Sequence, residues 1–381
     1  VTERLSGHQT MQKLLDRLEH GISYGRVPRE IPFLRAERAV LLVRMGEFER
    51  ARKELATLRT LPDAQGNVVL SAWLWLGEGL ADFFESVEVR ARDRVLRACA
   101  LAASVRVPRI HALTAAWCAH LDFRAQDYPA MLAHLSEALQ AADAEHHGAL
   151  GRACVVLAGA YHFAGREDLA QPWYARARTH ASVEGDGVTL SSIMYNMAAL
   201  RVCAVRLSEL YGQADPQAAQ RARLGAESST FLDQSVRAGA LSVASWMLRA
   251  QALVVHGQYA DALALYDTYW DEAMKSGFEA SEALFQTDRA WCLYRLGRGD
   301  EARIAARSAA SALMWASEIE ERAIAHGMLA NTFEPLGLRD QAALHQQQGQ
   351  REWALHRQRC DTLLQGLQGA DLEALLPAAA S

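Results

Sequence analysis

The stretch 151-GRACVVLAGAYHFAGREDLAQPWYARARTHA-181 decides how this chain folds. Cys154, Leu157, Ala158 and Tyr161 recur at helical spacing before Gly165, and Ala170 and Tyr174 do so after it. A glycine between two helical patterns reads as a turn, because a left-handed residue ends the first helix at low cost. Ala158 and Ala170 are the small members of the two helices, and small residues let helices pack closely.

The same two positions return along the chain in steps of roughly 40 residues. One series runs Ala51, Ala91, Met131, Ala170, Ala262, Ala302 and Ala342. The other, about twelve residues upstream in each period, runs Ala39, Gly79, Ala119, Ala158, Ala198, Ala250, Ala290 and Ala330. Two phase-locked small residues per period predict two helices per period, packed on each other and on the next pair. The fold class is therefore all-α, an α-solenoid. Its length counts repeats rather than separate cores.

Bulky residues complete the pattern. Residues 243–275 add Trp246, Gly257, Tyr259 and Tyr266 around Ala250 and Ala262. Residues 32–62 add Gly46, Phe48, Leu55 and Pro62 around Ala39 and Ala51. On these residues the chain resembles the tetratricopeptide-repeat (TPR) family over about 32–350, with W-x2-L-G-x2-Y…A-x3-F as the guiding pattern. The resemblance is to the longer-repeat variety of bacterial regulators, such as the sensor domain of the maltose regulator and the response-regulator phosphatases. It implies a right-handed superhelix of about eight helix-turn-helix repeats.

The expected organisation is an N-terminal capping helix in 1–31, the solenoid in 32–350, and a C-terminal capping helix and tail in 351–381. The fifth repeat, 188–238, is enlarged, since Ala198 and Ala250 are further apart than one period. Met11, Leu14, Leu15 and Leu18 give the N-terminal cap its apolar face, and 339–368 reads as one long helix. Gly46, Gly165, Gly257, Gly297 and Gly337 mark turns. Ser276-x-x-Glu279 and Ser317-x-x-Glu320 read as capping boxes, and Asp215-Pro216 as an N-cap followed by proline.

The 381 residues are 50% hydrophobic and 22% charged, which suits a folded chain rather than a disordered one. The net charge of −5 argues against a nucleic-acid platform. Six cysteines without a C-x-x-C pair point to a reducing compartment. The first twenty residues are charged throughout, unlike a signal peptide, and no stretch reads as a membrane span. A bacterial cytoplasmic protein is expected, with no membrane partner.

No motif nominates an active site. Gly21-Ile22-Ser23-Tyr24-Gly25 matches the G-x-S-x-G nucleophile elbow, yet that chemistry needs a strand before the serine. His146-His147 reads as a solvated loop, and Glu352 with His356 as an exposed helical pair. Neither a cofactor motif nor a metal-ligand spacing is legible, so no enzyme, cofactor or metal is expected.

The resemblance implies instead that the first helix of each pair lines a concave groove. On that register the groove presents Phe33, Val40, Trp73, Leu80, Phe83, Leu113, His120 and Phe123 in the N-terminal half. Further on it presents Arg152, His162, Asn196, Gln251, Trp291, Tyr294, Arg295 and Asn331. Aromatic and arginine side chains are common interface anchors. The expected function is a non-enzymatic adaptor or regulator that binds a protein or peptide segment. The alternative is a stand-alone sensor for a small ligand or signalling peptide.

Overall fold

The computed structural model describes residues 13–62, 66–85, 88–236, 242–316 and 318–377. These hold 17 α-helices and no strand. Helix α1 (Lys13–Tyr24) and a 3-10 turn (Pro28–Glu30) precede eight consecutive pairs. They are α2/α3 (Ile31–Arg44, Phe48–Arg59), α4/α5 (Val68–Phe84, Glu88–Ser104), α6/α7 (Pro108–Arg124, Tyr128–Ala141) and α8/α9 (His147–Phe163, Glu167–Glu184). Then follow α10/α11 (Gly187–Tyr211, Pro216–Val236), α12/α13 (Ser242–Val255, Tyr259–Lys275), α14/α15 (Glu282–Arg295, Gly299–Ala312) and α16/α17 (Ile319–Phe333, Arg339–Gly369).

The two small-residue series are the seams of this packing. Ala51, Ala91, Met131, Ala170, Ala262 and Ala302 are fully enclosed, as are Ala39, Ala119, Ala158, Ala198, Ala250 and Ala290. Gly79 shows why size matters. A Cβ there would lie 2.7 Å from Val95 Cγ2 and 3.2 Å from the carbonyl oxygen of Ala91, its partner in the other series. The five turn glycines all take left-handed backbone, with φ between 75° and 80°.

The α10/α11 pair is the enlarged one, with helices of 25 and 21 residues. Asp215 opens α11 as expected, its Oδ1 accepting from the Gln217 amide at 2.8 Å. Helix α10 corrects one expectation: by length and composition it is apolar enough to cross a membrane, alone among the described helices. Its Ala198, Val202 and Val205 pack with Ala222, Ala226, Leu248 and Ala252.

Two further expectations, both capping boxes, change. Ser276 is the C-cap of α13, and a 3-10 turn at Glu279–Ser281 intervenes before α14, so no capping box forms there. The residue capping α16 is Glu318, whose side chain does not bond the helix's first amides; Ser317 and Met11 lie outside the described residues. Helix α17, Arg339–Gly369, matches the single long helix expected over 339–368 and spans the 350/351 division.

By contact the chain forms two compact units. The first is mainly Val1–Ile193 with Leu363–Ser381, the second mainly Met194–Leu232 with Ser242–Thr362. In the second, Tyr266 and Phe285 anchor one apolar cluster and Phe333 another. A buried polar network crosses its core: Tyr266 donates to Asp288 at 2.6 Å, and Arg206 holds both oxygens of the same carboxylate. Leu363 and Leu367 of α17 are buried in the first unit.

Candidate functional site

Within the first unit the helix pairs curve until α2 meets the start of α10. Arg44, the last residue of α2, donates to Asp186 Oδ2 at 2.8 Å and to Thr189 Oγ1 at 2.6 Å, across 142 and 145 residues of chain. Asp186 also accepts from the Thr189 amide at 2.9 Å, as an N-cap does. Burial opposes the charge of this carboxylate, but Arg44 and the Thr189 amide outweigh it and hold its pKa below the usual range.

Helix α1 lies against this closure. Leu14 and Leu18 pack with Leu41, Met45 and Val188, and the Leu14 amide donates to the Gly185 carbonyl at 3.3 Å. Arg17 pairs with Glu184. Beneath the helix is a cavity of about 50 Å³. Val40 and Arg44 of α2, Trp73 of α4, Leu113 and Trp117 of α6, and Arg152 of α8 line it. All four helices are the first of their pair.

Arg152 is the unusual member. It is 6% exposed, yet no carboxylate pairs with it and no hydrogen bond holds it among the described residues. Its guanidinium instead lies 3.9 Å from the centre of the Trp117 ring, a cation–π contact. Burial, with help from the Arg44 charge and against that of Asp186, lowers its pKa to about 9, so it remains cationic at neutral pH. His120 packs edge-on against Trp117 and Phe83. Burial first, then Arg152 and Arg124, push its pKa well down, leaving the imidazole neutral. Glu37 also lines the cavity, and burial raises its pKa, with Arg109 and Arg17 opposing. Glu184 and Asp186 line the cavity as well, so among the described residues Arg152 is its one cation with no carboxylate in direct contact, a feature suited to an anionic group of a few atoms.

The structure gathers Val40, Trp73 and Leu113, from the N-terminal half of the expected groove, and Arg152, from the part beyond it, around this cavity, with His120 one contact away. In the second unit, Trp291 and Tyr294 have ring centres 5.7 Å apart, and Arg295 lies over Trp291 at 5.3 Å. Arg295 also donates to the Tyr259 hydroxyl at 2.7 Å. Trp291 is half-buried against the apolar cluster, whereas Arg295 is exposed. Asn196 and Gln251 are half-buried and Asn331 is exposed. His162 is buried, 3.2 Å from the Tyr174 hydroxyl, which makes it a core residue.

Trp117, Arg44 and Asp186 were not legible as site residues. Trp117 carried a signal, since it shares a face with Leu113 and His120 at helical spacing. Arg44 and Asp186 carried none, because only curvature brings them together.

The other sequence motifs resolve into structure. Ser23 sits in the last turn of α1, with no strand before it. His146 is buried at the start of α8 rather than solvated, and burial lowers its pKa to about 4. His147 faces His180, Nδ1 to Nδ1, at 3.0 Å. Glu352 pairs with Arg322, not with His356. His356 is buried beside Cys360, 3.4 Å from its sulfur. Burial moves that thiol up to about 12 and the imidazole down to about 4, so the pair stays neutral and lacks an activated thiolate.

No protein-family profile matches the chain, and no curated protein matches it in sequence. Among solved structures, the chain is similar to a Rap protein complexed with competence and sporulation factor, at 12% identity and a TM-score of 0.53. That likeness covers 97% of this chain and 100% of the Rap chain. The TPR domain of P58(IPK) matches at 14% identity over 96% of this chain and 99% of its own, with a TM-score of 0.28. Eight helix pairs, phase-locked small residues and likeness to the Rap fold together make this chain a TPR-like all-α repeat protein.

Proposed function

We propose that the protein is a non-enzymatic binding module that captures a peptide or protein segment through a free carboxylate, held by Arg152 in the cavity of the first unit. The observation that carries this reading is the buried guanidinium stacked on Trp117 with no carboxylate of its own. Burying an arginine without a carboxylate in direct contact is costly, and such a cost is characteristic of binding sites. A guanidinium forks onto a carboxylate bidentately, and Trp117 fixes its plane. The cavity has room for roughly three or four water-sized atoms, which fits a carboxylate head rather than a whole peptide. The likeness to a Rap protein that holds competence and sporulation factor supports the class of function. In the second unit, Asn196, Gln251, Trp291, Tyr294, Arg295 and Asn331 are proposed as a separate contact surface for a partner. No cofactor, nucleic acid or membrane enters this reading, and a cytoplasmic setting is proposed with it.

The test is a thermal-shift and tryptophan-fluorescence screen of short peptides, each with a free and with an amidated C-terminus. Free-carboxylate peptides should stabilise the wild type, amidated forms should not, and Arg152→Met should respond to neither. Equal responses to both forms, or an unchanged response in Arg152→Met, would overturn the reading. The small cavity also favours a second reading, a sensor for a free carboxylic acid of a few atoms. Short monocarboxylates included in the screen would then act without any peptide.

A further inference from the structure

We infer that the first unit holds a divalent transition-metal site, with zinc as the fitting ion, formed by Cys99, His111 and Glu137. One donor atom from each lies within 4.8 Å of the others. His111 Nε2 hydrogen-bonds Glu137 Oε1, and the Cys99 sulfur lies 4.0 Å from the same oxygen. A shift of well under an ångström per side chain opens this cluster to the roughly 2.0–2.3 Å bond lengths of zinc. One thiolate, one imidazole and one carboxylate suit zinc or cobalt and do not suit magnesium or calcium, which take oxygen ligands.

The surroundings favour a bound cation. Cys99 is buried, while the His111 and Glu137 side chains are only partly covered. Glu137 is 37% exposed and His111 19%, so one side of the cluster opens to solvent. An ion can enter there, and a water can complete a tetrahedral shell.

The ligands come from α5, α6 and α7, so a metal here would tie the second repeat to the third. Solenoid stability is a sum over such neighbour interfaces, and an ion that binds only the folded state adds to it. The grouping has no sequence motif because three helices contribute one ligand each.

The test uses the intact chain, stripped of metal and kept reduced, titrated with cobalt and then with zinc. Cobalt should give one equivalent of tetrahedral absorption with a thiolate charge-transfer band, which zinc displaces. Zinc should bind tighter than about 1 µM, raise Tm, and protect Cys99 from alkylation, as read by mass spectrometry. Cys99→Ser and His111→Ala should each weaken binding by at least about 100-fold, while Cys292→Ser leaves it intact. No charge-transfer band in the wild type overturns the site, as does zinc that leaves Cys99 unprotected. A band that survives Cys99→Ser does so too. The alkylation readout needs no variant, so a misfolded mutant would not obscure the result.

Discussion

The guanidinium of Arg152 lies 3.9 Å from the centre of the Trp117 ring and has no carboxylate partner. Stability and binding should therefore pull in opposite directions at this residue. Arg152→Met keeps the length and apolar stem of the side chain and removes a buried charge that no carboxylate touches. It should stabilise the protein by about 1 kcal/mol or more while abolishing capture of a carboxylate ligand. Chemical denaturation alongside ligand titration checks both halves. A destabilised variant would mean that the cation–π contact outweighs the burial cost.

Ala302 is fully enclosed in the apolar cluster of the second unit. Ala302→Trp should destabilise by more than the ~1–3 kcal/mol of modest overpacking, because helices in close approach leave little room to relax. The exposed control Arg339→Ala should stay within about ±0.5 kcal/mol. Urea denaturation giving equal midpoints for the two would refute the packing role of the small-residue series.

Asp288 is fully buried between Arg206 and the Tyr266 hydroxyl. Burial tends to raise its pKa, and the Arg206 charge opposes that. Asp288→Ala strands an arginine in the core and should cost about 3–5 kcal/mol. The double variant Arg206→Met/Asp288→Leu should recover most of that loss. A single variant as stable as the wild type would show that the ion pair contributes nothing.

His146, His326 and His356 are each lowered to about 4, chiefly by burial. Their ordinary pKa lies near 6.5, so between pH 6.5 and 4 the unfolded chain binds protons that the folded chain refuses. Unfolding takes up protons in that window, and stability falls as pH drops. The slope approaches about 1 kcal/mol per histidine per pH unit well below 6.5 and levels off near 4. Denaturation midpoints measured from pH 7.5 to 4.5 should follow this curve, and a flat profile would contradict it.

Arg295 is the clean probe of the second surface, because it is exposed while Trp291 packs against the core. Arg295→Ala should leave stability within about 1 kcal/mol, the range of exposed charge contacts. It should weaken a captured partner by about 1–2 kcal/mol. Trp291→Ala should lower both stability and binding. A partner bound equally well by Arg295→Ala would remove this surface from the reading.

The sequence by itself determined the architecture. The recurrence that links Ala51 to Ala91, and Ala262 to Ala302, sets helix after helix, because close packing of neighbours depends on local size and spacing. The turn glycines were equally legible, since left-handed backbone is a property of single residues. Trp73, His120 and Arg152 could be placed on first helices for the same reason. Their environment could not. That Arg152 is buried without a partner, and that Cys99, His111 and Glu137 converge, depends on the angle at which successive pairs stack. A small change per repeat accumulates along a solenoid, and no local pattern encodes it. Curvature brings Arg44 to Asp186 across 142 residues and seats α1 over a cavity that periodicity alone would have left open.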